Sequence, residues 1–148
     1  MKHCLNGGLA EIGTKGRELI GLGPGLTPCG DDFLGGLFFA THWLQDAYPG
    51  EFHAGTKSIL DLAHWARNRT NPISHAILND LAMGQGPEPL HDLVRLLLKG
   101  VDYDGGVREA VNRLLRIGHT TGWYILAGVL TCLISVNEKA NNSLAHRP

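Results

Sequence analysis

Cysteine is scarce in this 148-residue chain, and its three cysteines, Cys4, Cys29 and Cys132, lie far apart. No Cys-x-x-Cys pair is present, so the sequence offers neither a typical zinc-binding pattern nor a redox motif. An odd number of widely spaced cysteines is typical of a reducing compartment. We therefore expect a protein of the cytoplasm that folds without disulfides.

The chain also lacks an excess of either charge and any long apolar run. Lys and Arg number 13 against 14 Asp and Glu, for a net charge of -1, and no block of like charges argues for nucleic acid or an anionic membrane as a partner. The most apolar stretch, Trp123–Val136, is short for a bilayer and suits a buried helix. The N-terminal residues show no secretory pattern, and the length fits one domain.

Glycine, by contrast, is abundant, with 20 residues that separate a series of apolar-periodic segments. The pattern predicts a mainly α fold, a single-domain bundle of about five or six helices with little or no sheet. We expect a weakly ordered segment at 1–16, a helical domain at 17–136 and a polar tail at 137–148. Arg17–Leu22 is the one stretch that could form a short strand. The predicted helices are Pro28–Ala47, Thr56–Arg67, Asn71–Gly84, Pro87–Leu98, Val107–Ile117 and Gly122–Val136.

Local signals predict several helix ends. Thr27 and Asn71 each stand before a proline, so that a capping side chain precedes the residue best suited to the first helical position. Gly100 is placed to end its helix in the left-handed conformation. These signals predict the limits of three helices.

A weak internal repeat links the first long helix to the last one. Aligning Gly30 with Gly122 also brings Gly36 onto Gly128. Both segments open on a loop rich in glycine and threonine and continue as a helix that is apolar on every side, so we predict that they form the central pair of the bundle. The glycines then predict close backbone approach. Accidental similarity between two capped core helices is the alternative.

The most unusual segment is the glycine-spaced loop Gly21–Pro28, directly ahead of a helix. Unpaired amides and the positive end of the dipole at a helix N-terminus attract anions, so the loop predicts a phosphate or carboxylate ligand. It is neither a Walker loop nor the glycine fingerprint of a dinucleotide fold. ATP and NAD are therefore not indicated.

Asp31 and Asp32 follow in the first turn, where carboxylates would repel a bare anion. Two ligands would reconcile them with the loop: a divalent cation such as Mg²⁺ bound with a phosphate, or a molecule that joins an anionic group to an amide NH₂. Successive helical residues are about 100° apart, so the two should not act as one paired carboxylate site. The alternative is that both only favour the helix dipole.

Other candidate residues lie further along the chain. His119 and its two following threonines occupy the loop that echoes the first one, and could face the same cavity. Arg69 and Ser74 offer a guanidinium and a hydroxyl suited to an anion, although a solvated helix end explains them equally well. The predicted catalytic residues are Asp31, Asp32 and His119. The predicted ligand-binding residues are Gly23, Gly25, Leu26, Thr27, Gly30, Arg69, Ser74, Thr120, Thr121 and Gly122.

The segment Leu19–Gly36, with its run Gly-Leu-Gly-Pro-Gly-Leu-Thr-Pro-Cys-Gly-Asp-Asp, resembles the signature of the AllH-like family, which includes a subunit of oxamate carbamoyltransferase. Further similarity lies at Arg69–Ser74 and Gly118–Gly128, and the resemblance covers most of residues 17–136. It implies carbamoyl transfer between oxalurate and phosphate, giving oxamate and carbamoyl phosphate, in allantoin-linked nitrogen metabolism. It also implies other subunits as partners.

The resemblance and the residues together predict a carbamoyltransferase subunit whose loop amides hold an anion while Asp31 or Asp32 orients an amide or a metal. Its partners would be a small anionic or carbamoyl-bearing ligand and other subunits, or further copies of the chain. Mg²⁺ is the one metal considered, and no other cofactor is indicated. The alternative is a non-catalytic ligand-binding or assembly module of a multi-subunit complex. A third interpretation treats the glycines as packing devices alone.

Overall fold

The computed structural model describes residues 12, 14–49, 55–100 and 105–145. These ranges contain helix and no strand, so the predicted mainly α, single-domain fold is confirmed. The predicted strand at Arg17–Leu22 is wrong, because residues 14–19 are helical and a turn follows. Most of the N-terminal segment at 1–16 lies outside the described residues. The helices are α1 (residues 14–19), α2 (Cys29–Ala47), α3 (Gly55–Trp65), α4 (Pro72–Ala82), α5 (Glu88–Lys99), α6 (Gly106–Leu114) and α7 (Thr121–Ala145), with a 3-10 turn at Ala66–Asn68.

Two of the predicted helix ends are confirmed in detail. Asn71 caps α4, since its Oδ1 accepts a hydrogen bond of 3.0 Å from the Ser74 amide while Pro72 takes the first helical position. Gly100 ends α5 in the left-handed conformation, with a φ of 65°. Local chemistry alone determines these two ends.

The predicted cap at Thr27 is wrong. Helix α2 starts after Pro28 with no side-chain cap, because the Thr27 hydroxyl lies 3.0 Å from that of Thr121 in the distant loop before α7. A tertiary contact has taken the group that would otherwise have served the local helix end. That contact brings together the two loops that the internal repeat related.

Helix α2 is the centre of the bundle. It packs along α7 over the most extensive interface in the molecule and also contacts α3, α4 and α5. Phe38 and Phe39 are fully buried within it, and each buried side chain of this size stabilises the fold by about 2–3 kcal/mol relative to exposure. The carboxylates of Asp31 and Asp32 thus lie at the start of the best-anchored helix.

The backbones of α2 and α7 meet at two glycines. A Cβ at Gly36 would collide with the carbonyl oxygen of Ile125, and a Cβ at Gly128 with the carbonyl oxygen of Phe33. The predicted close approach between the two helices is therefore confirmed, and it explains why glycine is tolerated inside both helices.

The expectation that α7 would lie in the middle of the bundle is wrong. Ile125, Val129 and Cys132 are buried, but Trp123 and Ile134 on the opposite face are 58% and 55% exposed. Among the described helices from α2 onward, α2 and α6 make the main contacts with α7. A sequence that is apolar on all sides therefore does not show which face of this helix is buried.

Helix α7 is also longer than predicted. It runs to Ala145 rather than ending near Val136, so residues 137–145 continue the helix through most of the expected tail. Polar residues with adequate helix propensity extend a helix that is already anchored by packing. No helix in the described ranges combines the length and the apolarity that crossing a membrane requires.

Candidate functional site

Asp31 holds three segments of the chain together. Its Oδ1 accepts a hydrogen bond of 2.7 Å from the Gly21 amide, and its Oδ2 accepts one from the Thr70 hydroxyl and one of 2.6 Å from the Ser74 hydroxyl. The side chain is only 2% exposed. Hydrogen bonds to a carboxylate are stronger than neutral ones, so Asp31 fastens the glycine loop and the start of α4 to α2.

Asp32 has a different neighbourhood on the side of α7. The hydroxyls of Thr121 and Thr27 hydrogen-bond to its carboxylate. Its Oδ2 is buried and has no hydrogen-bond partner among the described residues. The two carboxylates therefore share no donor, and that they do not act as one paired site stays a prediction.

Burial raises the pKa of Asp32 from 3.8 to about 6. The hydrogen bonds from Thr121 and Thr27 lower this pKa, and the nearby charge of Asp31 raises it further. Within the described ranges neither carboxylate forms an ion pair with Lys or Arg. A carboxyl group that titrates near pH 6 can take up and release a proton close to neutrality.

The free amides of the loop lie ahead of the helix rather than in its first turn. The Gly30 amide donates to the Leu22 carbonyl, and the amides of Asp31 and Asp32 donate to that of Pro28. The loop amides that make no hydrogen bond to another described residue are those of Gly23, Gly25, Leu26 and Thr27.

A cleft of about 450 Å³ has Thr121 on its wall. Its lining comes from α4, the connection between α4 and α5, the residues after α6, and α7, and is mostly apolar. Asp80 and Gln85 are its other polar residues. Thr121 is the residue that the cleft shares with the surroundings of Asp32. The apolar lining consists of Ile77, Leu81, Pro87, Ile117 and Ile125.

Arg69 and Ser74 are not part of this arrangement. The Arg69 guanidinium lies over the Trp65 ring, 4.4 Å from its centroid, and the Ser74 hydroxyl donates to Asp31. Both residues belong to the side of α2 that faces α4. They contribute to the anchoring around Asp31 and not to the site at Asp32.

Gly30 and Gly122, both predicted as ligand-binding residues, are instead packing positions. A Cβ at Gly30 would collide with the carbonyl oxygen of Leu19, and a Cβ at Gly122 with that of Leu114. Both glycines are buried. They let the C-terminal ends of α1 and α6 lie close to the first turns of α2 and α7.

His119 and Thr120 are exposed on the loop before α7, next to Thr121. The side chain of His119 makes no hydrogen bond to a described residue, so it is available to a ligand that approaches the loop. The contact between Thr27 and Thr121 brings this loop next to the glycine loop, and that His119 faces the same cavity stays a prediction.

Sequence reasoning missed two residues that hold the glycine loop in place. Thr70 donates to Asp31, and the Asn71 side-chain nitrogen donates to the Leu26 carbonyl at 2.7 Å. The helix-cap pattern predicts that Asn71 caps α4, but it does not predict the contact of Asn71 with Leu26. Both residues lie in Arg69–Ser74, the second segment that resembles the family, and that resemblance was the one sign in the sequence that they matter.

A dedicated Mg²⁺ site is not supported by the donor set. In the described part of the chain no three residues of the types His, Cys, Asp or Glu cluster as a metal site requires. Both oxygens of Asp31 are engaged by donors, so Asp32 alone has an uncommitted oxygen. Mg²⁺ needs further oxygen ligands in octahedral geometry, and the described residues do not supply them.

Comparison with known proteins identifies the family of the chain. No solved structure matches the chain. The model of one protein family, oxamate carbamoyltransferase subunit AllH, matches residues 19–133. The match includes the glycine loop, both carboxylates, the start of α4 and most of α7, and it covers well over half of the chain. The chain therefore belongs to the family of the oxamate carbamoyltransferase subunit AllH.

Proposed function

We propose that this chain is a subunit of a carbamoyltransferase and that it binds the carbamoyl-bearing substrate at Asp32, Thr27, Thr121 and the free amides of the glycine loop. The observation that carries the proposal is the uncommitted, buried Oδ2 of Asp32 beside that loop. Native proteins leave few buried polar atoms without a partner, and functional sites are one of the recognised exceptions.

The chemistry of the ligands matches the two halves of the site. Oxamate and oxalurate each join a carboxylate to an amide, and carbamoyl phosphate joins a phosphate to an NH₂-bearing carbonyl. The amide NH₂ would donate to Asp32, while the anionic end would accept from the amides between Gly23 and Thr27. His119, exposed on the adjacent loop, would contact the anion from the other side.

Asp32 is also suited to move a proton. In the transfer from oxalurate to phosphate, a C–O bond forms between the carbamoyl carbon and phosphate while the C–N bond to oxamate breaks. The hydrogen of HPO₄²⁻ must end on the oxamate nitrogen, so that atoms and charge balance. A carboxylate with a pKa of about 6 can accept that proton and return it to the leaving nitrogen.

The remaining catalysis would come from positioning and from charge stabilisation. Loop amides directed at the oxygen of the carbamoyl carbon would stabilise the negative charge that develops there. We assign to Asp31 a positioning role, because it ties the loop to α2 through Gly21 and is itself fully hydrogen-bonded. Allantoin-linked nitrogen metabolism is the setting that the family suggests.

Isothermal titration with oxamate, oxalurate and carbamoyl phosphate, each with and without Mg²⁺, tests the proposal. We expect the wild-type chain to bind, and the variants Asp32→Asn and Thr121→Val to bind at least about tenfold more weakly, a loss typical of one hydrogen bond to a charged group. Thr131→Val is the matched control, since the Thr131 hydroxyl bonds only to the Ala127 carbonyl within its own helix.

Unchanged binding in the folded Asp32 and Thr121 variants would place the ligand elsewhere and contradict the proposal. If the wild-type chain binds none of the three compounds, alone or assembled with the other subunits of the enzyme, the chain is a non-catalytic assembly module. Catalytic assays on that assembly then separate a role in binding from a role in turnover.

A further inference from the structure

The outer face of α7 presents an uncovered line of apolar side chains. Trp123 is 58% exposed, Leu130 41% and Ile134 55%, and Ala127 between them is also exposed. We call these four residues the outer stripe. Contiguous exposed apolar surface on a soluble domain typically marks a place where another surface binds.

The spacing of the outer stripe is that of a helix–helix seam. Its members follow at intervals of four, three and four residues, so at about 100° per residue they lie within roughly 60° of one another. Ile125, Val129 and Cys132, which are buried, lie on the opposite side of the helix. This alternation of four and three residues is the pattern by which two helices pack side by side.

The absence of charge restricts what can cover the stripe. Residues 121–137 contain no Asp, Glu, Lys or Arg. A charged surface placed there would lose its hydration without gaining a counter-charge, which is costly. The occupant must therefore be an uncharged, apolar helical face.

We propose that the occupant is α7 of a second copy of this chain, packed antiparallel about a twofold axis that passes level with the bond between Gly128 and Val129. In this register Trp123 meets Ile134 of the second copy, and Ala127 meets its Leu130. Large side chains thus face smaller ones at both levels, as close packing requires. A parallel pair would set Trp123 against Trp123 and Ala127 against Ala127, crowding one level and leaving a gap at the other.

The area is sufficient for a reversible dimer. The exposed parts of the stripe and of the neighbouring Tyr124 amount to roughly 500 Å² per copy, or about 1,000 Å² for the pair, which is the lower limit for a specific interface. The contact is isologous, as in most homodimers. It also brings residues 136–138 of the second copy level with residues 119–121, so that each candidate site would lie beside the dimer contact.

Sedimentation velocity of the full chain over about 5 to 200 µM tests the dimer, since an interface of this size should dissociate in the micromolar range. We expect a monomer–dimer equilibrium in the wild type. Leu130→Glu and Ile134→Glu should weaken it about tenfold or more. Ser135→Glu is the matched control, because Ser135 is exposed on the same helix but lies off the stripe. Circular dichroism checks that each variant is folded.

Crosslinking determines the direction of packing. A mixture of Trp123→Cys and Ile134→Cys chains should crosslink through a short bismaleimide, whereas Trp123→Cys alone should not exceed the wild-type background from native cysteines. Three results would overturn the inference: a wild-type monomer at every concentration, a dimer that tolerates Leu130→Glu, or a stripe that binds only the other subunits of the enzyme.

Discussion

Asp31 and Asp32 are adjacent in the chain and almost equally buried, yet their surroundings differ in one decisive respect. Asp31 accepts hydrogen bonds from Gly21, Thr70 and Ser74 and has both oxygens engaged. The carboxylate of Asp32 hydrogen-bonds to the hydroxyls of Thr121 and Thr27. Its Oδ2 has no hydrogen-bond partner among the described residues. A saturated carboxylate holds structure in place, whereas an unsaturated one retains capacity for a ligand or a proton.

The difference follows from which helix each carboxylate faces. The side of Asp31 faces α4 and the turn before it, where polar residues were available to fill every acceptor position. The side of Asp32 faces the start of α7, where Thr121 hydrogen-bonds to the carboxylate together with Thr27 of the glycine loop. Stability and chemistry are thus divided between two successive residues of a single helix.

Removing the Asp31 carboxylate should have the largest effect. Asp31→Ala leaves three buried or part-buried donors from two other segments without an acceptor, so we expect the free energy of unfolding to fall by about 3–5 kcal/mol. Urea denaturation measures this change. Asp46→Ala, at the exposed end of the same helix, is the control and should change stability by less than about 0.5 kcal/mol. A loss near that of the control would remove Asp31 from its anchoring role.

Separating α7 from α2 should have the next largest effect. Gly128→Ala places a Cβ against the Phe33 carbonyl oxygen, and overpacking of this kind costs about 1–3 kcal/mol. Because Thr121 moves with α7, we expect the Asp32 titration to shift as well, while contacts around Asp31 are retained. Thermal unfolding measures the loss of stability, and amide hydrogen exchange near Gly21 shows whether the surroundings of Asp31 are retained while those of Asp32 change. An equal loss of amide protection around Asp31 and around Asp32 would show that the two carboxylates do not have independent surroundings.

The helices illustrate how much the sequence predicts. Asn71 with Pro72, and Gly100, place helix ends by local hydrogen bonding and backbone preference, which a sequence displays directly. The paired glycines Gly36 and Gly128 predicted the contact of α2 with α7. These features depend on short stretches of chain, and each is present in the structure.

The failures share a physical cause, since each depends on a partner distant in the chain. The Thr27 hydroxyl meets Thr121, 94 residues away, and so does not cap its own helix. The outer face of α7 is as apolar as its inner face, and periodicity cannot show which of the two another element covers. For the same reason the sequence did not distinguish Asp31 from Asp32, because their difference lies in the donors supplied by other segments.

Replacing Thr121 should act on Asp32 and on the contact with Thr27. Thr121→Val removes a hydrogen bond that lowers the pKa of Asp32, so that pKa should rise above its wild-type value of about 6. We expect a loss of about 1 kcal/mol in stability at pH 8. A pH series of Tm values measures both effects. In the control Thr131→Val, the dependence of Tm on pH should equal that of the wild type. A lower pKa of Asp32 in Thr121→Val would contradict the hydrogen bond between these two residues.

Asp32→Asn should have the smallest effect on stability at acid pH, and the effect should grow as the pH rises. The folded-state pKa of about 6 lies above the ordinary value of 3.8, so the native state holds the proton more tightly than the unfolded chain. That stabilisation is complete below pH 3.8 and is lost as the pH rises through about 6. The shift corresponds to about 3 kcal/mol, so we expect Asp32→Asn to match the wild type in Tm at about pH 3 and to exceed it by roughly 6–12 °C at pH 8. A Tm of Asp32→Asn that exceeds the wild-type Tm only at acid pH would mean that the pKa of Asp32 is lowered in the folded state, and it would contradict the account.

The most direct test is a carbon-13 NMR titration of the side-chain carboxyl groups in the wild-type chain and in Asp32→Asn. The account predicts one aspartate resonance with a midpoint near pH 6, absent from the variant and shifted when oxamate or carbamoyl phosphate is added. An Asp32 resonance that titrates near 3.8 and ignores these compounds would show that the second carboxylate is as structural as the first.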